Sequence, residues 1–505
     1  MALLLGIDVG TTGAKAILIN AEGRVLASAT TEYPLLMPQP GWTEQDPEAW
    51  WNATTTSVRR VLEGARISSS EVTGIGLTGQ MHGLVPLDKT GQVLRPAILW
   101  NDQRTVEECA WITERVGAAR ILQLTGNPIL SGFTAPKIIW MRRHEPDLYR
   151  QIARILLPKD FVRYRLTGEF AIDVADASGT SLFDVSRRVW SAEMLHSLDI
   201  PEQWLPRVAE SPEVVGTVSR AAAAAWGLPA GLPVVAGAGD QAAQAVGIGI
   251  VRQGVVSVTI GTSGVVFAHL DAVHANPGGR LHLFCHAVPG RWHVMGVNLS
   301  AGGSLRWLRD TIRYEGWFRG NRDPYDVISD EAATIPVGAE GLIFLPYLSG
   351  ERTPHADPHA RGAFIGLTLR HQRPHLIRAV MEGVAMGLRD SLELIRGIGL
   401  PVTEIRGSGG GARSLLWRQI LADVFQAYVA TVSTTEGAAF GAALLAGVGC
   451  GVFPDVEKAC DATIAVTDRT TPDAQRVQTY ERIYEVYRDL YPAVRPAMHA
   501  LDGLV

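Results

Sequence analysis

The chain has 505 residues, 47% of them hydrophobic and 19% charged, which is more than a single hydrophobic core accommodates and predicts two or three globular domains. A net charge of -5 without long runs of one sign argues against a nucleic-acid partner, and no segment reaches the length of a membrane span. Met1 to Leu5 has no positive region and too short an apolar run for a signal peptide, and Cys109, Cys285, Cys450 and Cys460 form no CxxC pair, so the expectation is a cytoplasmic protein with reduced thiols.

Leu3 to Ile7, Lys15 to Asn20 and Val25 to Ala29 read as an antiparallel meander, with Glu22-Gly23 supplying a turn. Between the first two strands runs Gly6-Ile7-Asp8-Val9-Gly10-Thr11-Thr12-Gly13. Glycines let the backbone approach a phosphate and aim its N–H groups at the oxygens, and threonine hydroxyls add donors. A tight glycine turn needs no ligand, and one copy alone is more often an ordinary hairpin. Asp8 follows an apolar strand, and its carboxylate emerges at the strand end, where it can hold Mg²⁺ through water. Asp46 then caps a helix that has Pro47 at its first position and runs through Trp50 and Val58 toward Leu62. Gly74, Gly76 and Gly79 make a GxGxxG, but Gln80 to Leu87 reads as turn and strand rather than the helix of a dinucleotide fold, so the match is treated as coincidental. None of the five lysines follows a glycine, which excludes a P-loop.

At Val234 to Ala243 an apolar strand enters glycines, presents Asp240 and Gln241, and continues as a small-residue helix. Asp240 reads either as the cap of that helix or as an acid set at a strand end facing a cleft. The boundary between halves is placed at Gly247 to Gly254, giving domains 1–248 and 249–490 and a tail 491–505, with a hinge between contacting domains rather than a linker. The second half repeats the first: strands from Val255 to Ala268 enclose Ile260-Gly261-Thr262-Ser263-Gly264, and a hairpin from Leu281 to Val297 turns at Pro289-Gly290. Two such loops can grip one polyphosphate from both sides. His282, Cys285 and His286 are close in sequence, but strand alternation sets the thiol opposite the imidazoles, so no zinc site is predicted. Pro374 opens what reads as the longest helix, with Ile377, Val380, Met381, Val384, Leu388 and Ile395 on one stripe and Gly383 and Gly387 on a face that another backbone can approach. Gly407 to Arg413 precedes a helix bearing Leu415, Leu416, Ile420, Leu421 and Val424; it reads as an anion-binding helix start or as a flexible connection. Phe440 to Phe453 reads as a packed core helix, and Ala474 to Leu490 as a last helical segment.

Together Asp8 with Thr11-Thr12, Gly239-Asp240-Gln241, Gly261 to Gly264 and Gly409 to Ala412 resemble the FGGY carbohydrate kinases. The stretches Gly132 to Trp140 and Gly362 to Glu382 match two longer patterns of that family. The resemblance implies an α/β, two-domain actin/Hsp70-like (ribonuclease H-like) duplicated fold with an interdomain catalytic cleft. It further implies ATP as co-substrate, Mg²⁺, and Asp240 as the acceptor of the proton from the attacking sugar hydroxyl. Asp8 and Asp240 are then near the metal, with Thr11, Thr12, Gly261, Thr262 and Ser263 around the phosphates and Gly302, Gly410, Gly411 and Ala412 around the nucleotide. Lys15 reads either as a phosphate ligand or as a solvated strand residue. Gly79-Gln80-Met81-His82-Gly83, Trp100-Asn101-Asp102 and Leu348 to His355 are similar to the versions in family members acting on D-xylulose. That places Met81, His82, Asn101, Asp102, Asp240 and Gln241 around the sugar and implies transfer to D-xylulose, giving D-xylulose 5-phosphate. A neighbouring ketose or polyol, such as ribulose or glycerol, is the alternative substrate, and a noncatalytic nucleotide-gated protein of the same fold is the alternative class. Related sugar kinases suggest a homodimer.

Overall fold

In the computed structural model, which describes residues 2–274, 276–318 and 321–502, two mixed sheets share one strand order. In the first, Leu3–Val9, Gly13–Asn20 and Val25–Glu32 form the antiparallel meander, and Val72–Gly79 followed by Pro233–Val235 joins in parallel beyond Leu3–Val9. In the second, Gly254–Ile260, Gly264–Leu270 and Trp292–Asn298 form the meander, and Val402–Ser408 and Val429–Val432 add in parallel. Each half therefore runs third, second, first, fourth, fifth strand, the ribonuclease H-like order expected of a duplicated actin/Hsp70-like fold. Residues of both faces of the first strand are buried, from Leu3 and Leu4 to Ile7 and Val9, so helices cover both sides of the sheet.

Local signals place most elements. Asp46 accepts from the backbone of Glu48 and caps the helix Pro47–Ala65, whose first residue is the proline. Gly383 lies where the long helix Arg373–Gly397 meets the Ile343–Leu345 strand: a Cβ there would stand 2.1 Å from the carbonyl oxygen of Phe344. That helix is not the longest; Ala474–Asp502 is, at 29 residues against 25. It runs through Pro492 and Pro496, so most of the stretch from 491 continues the helix, with Tyr491 and Met498 buried, while 503–505 lie outside the described residues.

The halves are joined by two small-residue helices that meet at the cleft. Ala438–Gly449 comes from the second half of the chain yet lies on the first sheet: a Cβ at Gly6 would be 2.0 Å from the carbonyl oxygen of Ala439, and one at Gly76 1.9 Å from that of Ala442. The GxGxxG of the fourth strand thus has a packing purpose, since only bare backbone admits the helix at this distance. Asp240–Gly247 crosses the same helix, with Gly441 against the carbonyl of Ala243. Its Gln244 donates to Thr259 Oγ1 of the second sheet at 2.9 Å.

Candidate active site

The strand ends of the first sheet bring its acids together. Asp8 is the sixth residue of Leu3–Val9, and Asp240 is the first residue of the helix that follows Ala238–Gly239, a short strand paired in parallel with Val72–Gly79. Gly239, not Asp240, holds the cap position, so the aspartate is free of the capping role. Burial raises Asp240 to about 7, and the nearby charge of Asp8 adds to the shift. Burial raises Asp8 to about 6, opposed by Lys15, and its Oδ1 is buried with no hydrogen-bond partner. Two carboxyls whose ionised forms are disfavoured, one with an unsatisfied oxygen, suit a divalent cation, which would relieve both penalties.

The first glycine-threonine turn is closed by Gly10 N donating to Gly13 O at 3.1 Å, and the second by Gly261 N donating to Ser263 O at 3.0 Å. Side chains distant in sequence fix the first turn. Gln80 Nε2 donates to Gly10 O at 3.2 Å and to Gln45 Oε1 at 2.9 Å, while Gln45 Nε2 donates to Thr11 O at 2.7 Å. Trp100 Nε1 donates to Thr11 Oγ1 at 3.0 Å, and the Tyr33 hydroxyl donates to Gly10 O. Thr12 is left exposed. Lys15 Nζ sits 2.6 Å from Glu436 Oε2 of the second half, so its ammonium serves an ion pair and is not free for a phosphate.

Around the second turn, a cavity of about 530 Å³ is lined by Gly261, Thr262, Gly302, Gly410 and Gly411 together with Arg306, Arg309, Tyr325, Asp326 and Trp417. Gly302 N donates to Gly261 O at 2.8 Å, bringing the start of the helix Gly302–Ile312 onto the loop. Gly410 has open space where a side chain would stand, and Gly411 lies against Ile260, where a Cβ would come within 2.5 Å. Ala412 is buried and lines a second cavity of about 350 Å³ with Gly409 and Gly410, just before the helix Leu415–Phe425 capped by Ser414. The arginines are absent from the sequence reading: Arg306 Nη2 donates to Thr262 Oγ1 at 2.6 Å, and only the helix starting at Gly302 brings it there.

On the other side of Asp240 stand Met81 and His82. A Cβ at Gly239 would be 3.0 Å from Met81 Sδ, so the methionine lies directly against the residue before Asp240. His82 adopts φ 69°, a left-handed conformation rare for a side-chain-bearing residue, and is locked there. Its Nδ1 lies 2.7 Å from Gly179 O, its ring stacks on Phe133 at 4.5 Å, and Lys137 Nζ donates to its carbonyl at 2.9 Å. Burial lowers His82 to about 3, so the imidazole is neutral. Asn101 Oδ1 accepts from Thr43 Oγ1 at 2.8 Å. Asp102 is a correction: fully buried, it accepts from Thr43 N at 2.6 Å and from Arg104 N, Nε and Nη2 at 2.8 to 2.9 Å. Its oxygens shape the loop and are not offered to a sugar. Gln241 is half-buried beside Asp240 at the same helix start.

Phosphate-type turns from both sheets, a paired acid site and a cleft between two ribonuclease H-like halves define an ATP-dependent phosphotransferase of the actin/Hsp70-like class. The chain belongs to the FGGY family of carbohydrate kinases, whose N-terminal domain matches residues 3–247 and whose C-terminal domain matches residues 256–450. It is similar to the xylulose kinase of Escherichia coli (strain K12), 42% identical over 98% of this chain and 100% of that one. It is also similar to the gluconokinase of Bacillus subtilis (strain 168), 31% identical over 96% of this chain and 95% of the relative. The crystal structure of xylulose kinase from Rhodospirillum rubrum superposes with a TM-score of 0.91 at 33% identity, covering 98% of this chain and 100% of that one.

Proposed function

We propose that the protein transfers the γ-phosphoryl group of ATP to the terminal hydroxyl of D-xylulose, giving D-xylulose 5-phosphate. The observation that carries this reading is the position of Asp240: it is held near neutrality by burial and by Asp8, which leads into the first turn; Met81 lies against the adjacent Gly239, and Gln244 of its helix is bonded to Thr259, which leads into the second turn. The likeness to xylulose kinases along nearly the whole chain supports the choice of sugar.

Asp240 accepts the proton of the attacking hydroxyl, a task suited to a carboxylate raised toward the working pH. Asp8, with Asp240, would hold Mg²⁺ through water, and the ion supplies charge neutralisation on the phosphates when bound. The N–H groups and hydroxyls of Thr11, Thr12, Gly261, Thr262 and Ser263 orient the polyphosphate, and Gly302, Gly410, Gly411 and Ala412 shape the nucleotide side of the cavity. Because the transferring group carries most of its charge on peripheral oxygens, oriented donors supply most of the stabilisation. Neutral His82 and buried Met81 shape the sugar side without adding charge, and Gln241 and Asn101 offer amides to its hydroxyls. We also take the functional division of the chain to fall at residue 248, the working compartment to be the cytoplasm, and the assembly to be a homodimer.

A coupled ADP-release assay over pentuloses, hexuloses, glycerol and gluconate tests the reading. It predicts ADP release strictly dependent on sugar, with D-xylulose giving the highest kcat/KM. Sugar-independent release would favour a nucleotide-gated protein, and a preference for ribulose, glycerol or gluconate would replace the substrate.

A further inference from the structure

The segment that follows Leu348 belongs to the second half and carries Arg352, whose guanidinium makes no hydrogen bond or ion pair among the described residues. Thr353 fixes its position: its N donates to Val297 O at 3.0 Å, its Oγ1 accepts from Val297 N at 3.0 Å, and the same hydroxyl donates to Arg280 O at 3.4 Å. Thr353 thus ties Arg352 to the strand Trp292–Asn298 and to Arg280, which is two residues before His282, whose ring lies 6.0 Å from Phe133 of the first half. Phe133 in turn stacks on His82 at 4.5 Å. The positive charge of Arg352 acts on both imidazoles, lowering His82 and His282 alike.

The charge of the neighbouring Glu351 acts on this guanidinium, but no side-chain hydrogen bond or ion pair joins the two. Glu351 accepts from Leu299 N at 3.0 Å, from Arg352 N at 2.7 Å and from Asn298 Nδ2 at 3.2 Å, which commits it to the backbone turn. Among the described residues, no hydrogen bond or ion pair is made by the Arg352 guanidinium, although most of its surface is covered. A half-buried guanidinium that faces no protein acceptor has its donors available to a ligand.

The substrate chemistry identifies the acceptor. The hydroxyl on C5 of a 2-ketopentose is the one that closes the furanose ring onto C2. A molecule presenting that hydroxyl for phosphorylation is therefore acyclic, with a free carbonyl at C2. A carbonyl oxygen only accepts hydrogen bonds, and a guanidinium only donates. We infer that Arg352 is a substrate-recognition residue that donates to the C2 carbonyl oxygen of the open-chain ketose, while Asp240 takes the proton at the C5 end. The inference rests on the ketose phosphorylation proposed above.

The test compares wild type, Arg352→Met and Arg352→Lys in steady-state assays with D-xylulose and with xylitol, in which the C2 carbonyl is replaced by a hydroxyl. Loss of one charge-assisted hydrogen bond predicts a rise in KM for D-xylulose of about tenfold or more in Arg352→Met, partly restored in Arg352→Lys. The KM for ATP should be unchanged, as should the shift in melting temperature on adding ATP and Mg²⁺, and the ketose-over-polyol preference of wild type should collapse. An unchanged preference, or equal losses on the ketose and the polyol, would overturn the assignment while leaving the kinase reading intact. Wild-type protein that phosphorylates no ketose would instead remove the functional reading and this inference with it.

Discussion

Replacing Asp240 by asparagine removes one charge from the cleft while preserving its shape, and the consequences for stability and turnover run in opposite directions. The carboxyl is raised from 3.8 to about 7, so the folded protein holds this proton more tightly than the unfolded chain. The sign follows from linkage: stability falls as pH rises above the unfolded value of 3.8, and the full penalty is present above the folded value of about 7. A shift of this size corresponds to a ceiling of about 4 kcal/mol, and partial solvent access reduces it to an expected ~2 kcal/mol. Asp240→Asn escapes the penalty. In urea unfolding, the variant should gain about 1 kcal/mol more over wild type at pH 8.5 than at pH 5, because part of the penalty is already present at pH 5. Turnover should fall by roughly 10²- to 10⁴-fold, the usual contribution of a general base, while ATP binding persists. A variant with near-normal turnover would remove Asp240 from the base role. Equal gains at both pH values, or destabilisation at pH 8.5, would refute the argument that burial and Asp8 set its proton affinity.

Asp8→Asn removes the charge that helps to raise Asp240, so the acid limb of the pH profile of kcat/KM for the sugar should move to lower pH in whatever activity remains; an unmoved limb would show that the two acids do not interact. Gly76→Ala places a methyl 1.9 Å from the Ala442 carbonyl oxygen and should cost more than ~3 kcal/mol in denaturant unfolding, because the helix Ala438–Gly449 must lift from the sheet. Gly410→Ala, which meets nothing within 4 Å, should fold normally but raise the KM for ATP; normal ATP kinetics would take Gly410 out of the nucleotide site. Small-angle scattering should show compaction when D-xylulose and a nonhydrolysable ATP analogue are added together, because exclusion of water from the transfer calls for closure of the halves. An unchanged radius of gyration would contradict this.

Features written locally in the chain were legible. Asp46-Pro47 sets a helix start, Gly23 and Gly290 set turns, and the two glycine-threonine runs set the hairpins, because caps and positive φ angles are properties of a few adjacent residues. The placement of Asp8 and Asp240 at strand ends was legible because each follows an apolar run, whereas the cap reading of Asp240 stayed open until the structure gave that position to Gly239. What escaped depends on partners far away in sequence. Lys15 pairs with Glu436, more than 400 positions later, and Asp102, which the resemblance set at the sugar, accepts from the backbone of the distant Thr43 as well as from nearby Arg104, so the fold uses both in structural pairs. The glycines at 74 and 76 looked coincidental because the helix they admit lies beyond residue 430, while Gly79 packs instead against Val9 and Lys159. The last helical segment, read as Ala474 to Leu490, extends to Asp502 through Pro492 and Pro496, anchored by the Tyr491 hydroxyl and His499 Nε2 on the Asp357 carboxylate.

A crystal structure of the protein with D-xylulose, Mg²⁺ and a nonhydrolysable ATP analogue bears most directly on the convergence of the two turns and Asp240 on one transfer site. The account predicts the C5 hydroxyl of the sugar within hydrogen-bond reach of the Asp240 carboxylate and in line with the γ-phosphoryl group, with the phosphates between the turns at Thr11 and Thr262. A sugar bound with that hydroxyl directed away from Asp240, or a triphosphate seated outside the turns, would contradict it.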